Sequence, residues 1–210
     1  MTSPAKLPPT LTSRFLEAVE LASEVHGEQR RNGTAIPFLA HLLVVAGLVL
    51  EDGGDENDTV AAMLHDTVED GGGRAMLEHI TERFGDRVAM IVEACSDTLD
   101  PEHEERWIVR KRRYLAHLPQ VVDDHVLRVV LADKVHNARS IVRDYREEGD
   151  ALWERFAERT AQEQVWYYRA LLRFFSENRP GPLTEDLRRA VEELELLVAL
   201  DELAAPSQSR

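Results

Sequence analysis

The chain has 210 residues, 43% of them hydrophobic and only 6% aromatic, and carries a formal charge of −14 from 25 basic and 39 acidic side chains. That length suits one domain, or one domain with a helical appendage, around a core of Leu, Val, Ile and Ala. The acidic balance argues against a general nucleic-acid binder, which needs basic surface to displace counterions, but allows a small anionic ligand held by a local basic patch and a metal.

In chain order, residues 1–12 read as a flexible segment, polar and Pro-rich, with no apolar stretch of the kind a secretion signal needs. Ser13 to Val25 is expected to be helical, with Phe15, Ala18, Val19, Ala22 and Val25 on its apolar face. A loop follows over Gly27 to Pro37 and includes Arg30-Arg31-Asn32-Gly33. A second helix is expected over Leu39 to Leu50. Its apolar run, Leu42 to Leu50, is too short to span a bilayer. The segment Gly53-Gly54-Asp55-Glu56-Asn57 resembles a cyclic-dinucleotide synthase signature. It lies between helices without flanking strands, so it reads as a chance match.

A third helix is expected from Asp58 to Asp70, stopping at Gly71-Gly72-Gly73. Two more follow, near Ala75 to Phe84 and Asp86 to Cys95, separated by Gly85. Then come Glu102 to Leu118, a long helix over Val121 to Glu147, and Ala151 to Glu177. Pro180-Gly181-Pro182 marks the best boundary, so residues 13–178 form the main domain. Residues 179–203 form an amphipathic helix with Leu187, Val191, Leu194 and Val198 on one stripe, either folded back on the domain or used in a dimer. Residues 204–210 read as a disordered tail. The expected fold class is therefore all-α, with nine to ten helices and no significant sheet. The lone Cys95 rules out an internal disulfide and a multi-Cys metal site. In its apolar run it reads as a small core residue, and it suits a reducing, cytoplasmic setting.

The densest chemical signal is His65-Asp66-Thr67-Val68-Glu69-Asp70. On a continuous helix, positions 65, 66, 69 and 70 share one side, which would present an imidazole and three carboxylates. Imidazole and carboxylate together suit Mn²⁺, Fe²⁺ or Zn²⁺, and a carboxylate outside the metal shell can take a proton from an attacking water. Further ligands must come from elsewhere. His41 follows the apolar Phe38-Leu39-Ala40. Asp133 follows the four apolar residues Val129-Val130-Leu131-Ala132, where a carboxylate is expensive to bury unless paired or metal-bound. Singly, each also fits a bland role: a satisfied core histidine, or a salt-bridged or capping aspartate. Four such positions on three helices favour a metal.

The ordered blocks His26-Gly27-Glu28-Gln29-Arg30-Arg31, Ile36-Pro37-Phe38-Leu39-Ala40-His41, His65 to Asp70, and Leu131-Ala132-Asp133-Lys134-Val135-His136-Asn137-Ala138-Arg139 resemble the HD superfamily of metal-dependent phosphohydrolases. More narrowly, they resemble the hydrolase domain of RelA/SpoT proteins and the free-standing small alarmone hydrolases. The likeness spans about Arg14 to Phe175. It implies a helical fold and one Mn²⁺-like ion held by His41, His65, Asp66 and Asp133. It also implies that Glu69 and Asp70 position and activate water, and that Arg31 lies along a nucleotide base. Asn137 would contact the nucleotide, with Ser140 one turn on. The implied reaction removes pyrophosphate from the 3′ position of guanosine tetra- or pentaphosphate, the alarmones of the stringent response. Where the family usually has Lys and Tyr, this chain has Asn32 and Phe38, both on the substrate side.

Lys111, and next Arg110, are candidates for phosphate contacts from the run Arg110-Lys111-Arg112-Arg113, which also reads as a solvated basic face. Lys134 and Arg139 could bind phosphate or pair with surface acids. Trp166-Tyr167-Tyr168 reads as core or as a base-stacking wall. An HD nucleotidase acting on deoxynucleotides, and a nucleotide sensor without turnover, are the competing readings. The sensor is disfavoured because no ligand or acid is missing. The expected partner is a small nucleotide, with no nucleic acid, no membrane and a possible homodimer. The length leaves no room for a synthetase half after Phe175.

Overall fold

The computed structural model describes residues 10–96, 105–121, 123–156 and 160–204. The described residues form ten α-helices and two 3-10 segments. There is no strand among them beyond an isolated antiparallel bridge between Arg30 and Pro37. The all-α expectation is met. The expected flexible segment and tail fall largely outside the described residues, over 1–9 and 205–210, as do residues 102–104 of one expected helix.

Local chemistry sets most boundaries. Helix α1 (Ser13–His26) begins where the Thr12 side chain accepts from the Arg14 amide. α2 (Phe38–Glu51) starts directly after Pro37. α3 (Glu56–Leu64) opens with a reciprocal capping box between Asp55 and Asp58. The short α4 (Thr67–Asp70) follows, then α5 (Arg74–Phe84) and α6 (Asp86–Cys95), which are divided by Gly85 at φ 88°. α7 (Trp107–His117) runs into a 3-10 turn, Leu118–Gln120. α8 (Asp124–Glu148) is capped by Asp123 and ended by Gly149 at φ 56°. A second 3-10 segment, Gly149–Arg155, precedes α9 (Ala161–Asn178), whose start is a Thr160–Glu163 capping box. α10 (Pro182–Ala204) closes the fold.

Two expected helices are broken. The one expected over 58–70 stops at Leu64 and restarts at Thr67. The Thr67 hydroxyl donates to the Leu64 carbonyl at 2.6 Å, taking a helix acceptor. The one expected over 151–177 is the Gly149–Arg155 turn followed by α9, because Phe156 is extended and Thr160 starts a new helix.

α3 lies at the centre: every residue from Asp58 to Leu64 is buried. It packs against α1, α2, α6 and α8, and α10 lies along α8 and α9. Leu187, Val191, Leu194 and Val198 of α10 are all buried. Half-buried Cys95 packs against this core, and burial pushes its thiol pKa up, which suits an inert side chain. No described helix is long and apolar enough to cross a membrane.

Candidate active site

The break between α3 and α4 places two unlike side chains at one point. His65 ends the buried α3 and Asp66 leads into α4. Facing them are His41 from the first turn of α2 and Asp133 from the middle of α8. His65 Nε2 lies 3.2 Å from His41 Nε2, 3.1 Å from Asp66 Oδ2 and 3.6 Å from Asp133 Oδ1. His41 Nε2 is 3.4 Å from the same Asp66 oxygen and 3.3 Å from the same Asp133 oxygen. Donors about 2.1 Å from one ion and at right angles to each other lie about 3 Å apart, so this clustering is what a single-ion nest requires. His41, His65 and Asp133 are buried.

The ring nitrogens are prepared for this use. His65 Nδ1 donates to the Ala62 carbonyl at 2.8 Å, which leaves Nε2 with a lone pair pointing into the cluster. His41 Nδ1 lies 2.6 Å from His136 Nδ1, with the rings stacked at 4.8 Å. Burial and the nearby charges of His41 and Arg31 push His136 down to about 3, so it is neutral and able to accept. Burial opposes a charged His65, but the carboxylates of Asp66 and Asp133 outweigh it and raise its pKa well above the usual value. Burial alone would raise Asp133. The ammonium of Lys134 and hydrogen bonds from both histidines hold it well below the carboxylate range. The donor set, two imidazoles and two carboxylates, fits a divalent cation, which would take the place of the protons that the carboxylates now hold on the cluster.

Beside the cluster lies a cavity of about 320 Å³. It is lined by Arg31, Arg110, Lys111, Lys134 and Arg143 as well as Glu69 and Asn137. In a chain of charge −14, this concentration of cations makes a local anion trap. Arg31 donates to Asn137 Oδ1 at 2.7 Å, and Asn137 Nδ2 donates to Asp133 Oδ1 at 2.5 Å. One amide thus ties the cavity's arginine to an oxygen of the cluster. The Arg31 guanidinium sits 5.7 Å over the Phe38 ring, which in turn stacks on buried His26.

The sequence-expected residues fall mostly here. Ser140 and Lys111 line the cavity, with Lys111 over the Tyr114 and Tyr167 rings. Glu69 lines it too. Asp70 lies instead against His26, at 3.5 Å, and burial together with Asp66 raises its pKa. Glu69 and Asp70 thus have different neighbours, the cavity for one and His26 for the other. Tyr167 and Tyr168 are both core and wall, whereas Trp166 points outward, away from this cavity. Asn32 donates to the Arg155 carbonyl at 3.1 Å and fastens the loop to the Gly149–Arg155 turn. Sequence reasoning missed Ile141, Arg143 and Asp144 on α8, and Leu152 and Phe156 beyond it. The α8 residues were findable by extending the helical stripe from Asp133 through Asn137 and Ser140.

A cluster of this kind, where α2, the end of α3 and α8 meet, could hold a metal ion. The family model described as HD domain matches residues 18–162, and the chain belongs to that family. The chain is 38% identical over 132 residues to a Xenopus tropicalis protein named guanosine-3′,5′-bis(diphosphate) 3′-pyrophosphohydrolase MESH1, covering 61% of this chain and 70% of that one. A protein of the same enzymatic name from Aquifex aeolicus is 34% identical over 133 residues, covering 63% of this chain. A Myxococcus xanthus GTP pyrophosphokinase is 32% identical over 184 residues, covering 80% of this chain. This chain spans only 18% and 22% of those two longer proteins. A solved structure reported as a metazoan ortholog of SpoT that hydrolyses ppGpp superposes with a TM-score of 0.61 at 25% identity, covering 98% of this chain and 99% of that one.

Proposed function

We propose that this protein is a 3′-pyrophosphohydrolase that acts on guanosine tetra- or pentaphosphate and uses one divalent metal, Mn²⁺. The observation that carries this reading is the convergence of His41, His65 and Asp133 donors within 3.6 Å of one another, with Asp66 Oδ2 within 3.4 Å of both histidines. That cluster opens beside a cavity lined by Arg and Lys. The printed activity of the Xenopus and Aquifex relatives supplies the substrate class. The mixture of imidazole and carboxylate donors suits a first-row divalent ion such as Mn²⁺ rather than Ca²⁺ or Mg²⁺, which take oxygen donors.

His41, His65, Asp66 and Asp133 would hold the ion. When bound, it supplies Lewis-acid activation and neutralises phosphate charge. Glu69 lines the cavity beside the cluster, where it takes the proton of the attacking water. Asp70, with its raised pKa, supports that proton removal and is oriented by His26. Water adds to the 3′ phosphorus and the bond to the 3′ oxygen breaks. That oxygen leaves with the proton that Glu69 took from the water, giving pyrophosphate and guanosine 5′-di- or triphosphate. Lys111 and Arg110, with Lys134, balance the diphosphate charge. Arg31 lies along the base, held by Asn137, and Ser140 offers a hydroxyl one turn on.

The acidic surface speaks for a small-molecule partner rather than a nucleic acid, and the single cysteine for a cytoplasmic setting. Two variants test the roles. Asp66→Ala should remove metal and activity together, and retained metal would refute the ligand assignment. Glu69→Gln should keep metal while slowing turnover about 10²- to 10⁴-fold; unchanged turnover would remove it from proton transfer.

A further inference from the structure

Arg155 does not line the cavity, yet it joins three pieces of the cavity's wall. It ends the Gly149–Arg155 turn, and its chain neighbours Leu152 and Phe156 both line the cavity. Its guanidinium pairs with Asp144 at 3.3 Å and with Glu148, both on α8. Its carbonyl accepts from the Asn32 side chain at 3.1 Å. Its methylenes lie against Gly33: a Cβ placed on Gly33 would fall 2.4 Å from Arg155 Cδ and 2.8 Å from Cγ. The Arg155 side chain is accordingly only 19% exposed.

The two sides of this contact are unequally anchored. The turn is fixed. Leu152 is fully buried in the core, the Gly149 amide donates to the Tyr145 carbonyl, and the Tyr145 hydroxyl donates to Asp150 at 2.9 Å. The loop over residues 30–37 has bonds that keep its shape: the Arg31 amide donates to the Ile36 carbonyl at 2.8 Å, and the Thr34 amide to the Arg31 carbonyl at 2.9 Å. These do not tie its exposed tip, Asn32 and Gly33, to the rest of the fold. Arg155 does. Gly33 has no room for a side chain, because its φ is 71° and the Arg155 stem that a Cβ would strike is pinned at its far end by two carboxylates. Arg31 comes directly before this contact. Its guanidinium reaches Asn137 at 2.7 Å from a backbone whose place the Asn32–Gly33 contact sets.

We propose that Arg155 is a positioning residue: it clamps the tip of the loop that carries Arg31, and so holds Arg31 in place for an incoming nucleotide. This rests on the reading of the cavity as a nucleotide site. Arg155 itself meets no substrate atom. Without the clamp, the loop has to be ordered at the moment of binding, and that cost is subtracted from affinity. The bond-breaking step is untouched, because the metal cluster and Glu69 lie on other elements.

Arg155→Ala should raise KM for guanosine tetraphosphate about 3- to 10-fold, with kcat and Mn²⁺ affinity close to wild type. Hydrogen–deuterium exchange of the free protein should speed up at the Arg31 and Thr34 amides, while the amides of α8 keep their protection. Because the effect passes through Arg31, Arg155→Ala should add nothing to KM in an Arg31→Ala background. A plain loss of positive charge near the cavity would persist there. Gly33→Ala, at the exposed loop tip, should speed the same amides and raise KM alike. Unchanged exchange at Arg31 and Thr34 in both variants overturns the clamp. So does a KM that rises equally with and without Arg31, or a kcat that falls while KM holds. A wild type that leaves guanosine tetraphosphate intact would refute the nucleotide reading instead, and the exchange rates would still decide the clamp.

Discussion

His41 and His136 face each other through their Nδ1 atoms at 2.6 Å, with their rings stacked. Only one proton fits between two such nitrogens. With His136 neutral and accepting, the proton stays on His41 Nδ1, and the lone pair of His41 Nε2 points at His65, Asp66 and Asp133. His136 thus fixes the tautomer of a proposed ligand from behind, on the side of the ring away from the other donors. Replacing it by Phe keeps an aromatic ring but removes the acceptor. We predict that His136→Phe weakens Mn²⁺ binding about 10- to 100-fold, as loss of a partner behind a ligating histidine does. Titration calorimetry with Mn²⁺ measures this, and wild-type affinity in the variant would contradict it.

Arg31 and Asn137 should separate kinetically. Arg31 reaches the cluster only through Asn137, whereas Asn137 also donates to Asp133 Oδ1. Arg31→Ala should raise KM for the nucleotide by about 10- to 100-fold, the worth of a charge-assisted contact, with metal affinity close to wild type. Asn137→Ala should raise KM and also loosen the metal. Steady-state kinetics alongside metal titration would show the difference. Equal effects of both variants on metal affinity would count against the linkage.

The start of α8 gives a pH-dependent prediction. Burial tends to raise the Asp123 carboxyl, but backbone donation from His125 and the charge of Arg87 outweigh it, so its pKa is lowered. A lowered carboxyl stabilises the fold above its unfolded pKa and loses that contribution as pH falls through the folded value. Asp123→Ala should therefore cost about 1 kcal/mol near neutral pH, as loss of an N-cap does. The gap from wild type should close in acid, below the carboxylate range. Urea melts at several pH values check it, and a gap that widens in acid would contradict it.

Asp58 is fully buried and accepts from the Asp55 amide at 3.1 Å and from Arg128 at 2.8 Å, with His125 also at 2.8 Å. Its removal strips Arg128, itself 11% exposed, of its most buried partner. Asp58→Ala should destabilise the protein by about 3 kcal/mol or more, which lowers Tm by about 6–12 °C in a chain of this size. Differential scanning calorimetry reads this directly. A shift of about 2 °C or less would mean that Asp52 and Asp124 satisfy Arg128 unaided.

Much of this was readable beforehand because it rests on local chemistry. Thr12, Gly85 and Gly149 mark helix ends by capping and by positive φ, and the α10 stripe follows helical periodicity. His41 and Asp133 stood out as polar groups in apolar runs. The break at His65-Asp66 was hidden because no Gly or Pro marks it and apolar residues lie on both sides, Val60 to Leu64 and Val68. The break is set by the Thr67 hydroxyl and by contacts with α2 and α8, which a local pattern does not contain. The different neighbours of Glu69 and Asp70 are likewise absent from the local pattern. Arg155 gave no signal at all. Its role arises from Asn32, which is 123 residues away in the chain.

The central claim is tested most directly by incubating the purified, Mn²⁺-loaded protein with guanosine tetraphosphate and identifying the phosphorus products by ³¹P NMR. The account predicts stoichiometric pyrophosphate and guanosine 5′-diphosphate, abolished by Asp66→Ala. Release of orthophosphate alone, or turnover of deoxynucleoside monophosphates with guanosine tetraphosphate left intact, would contradict it.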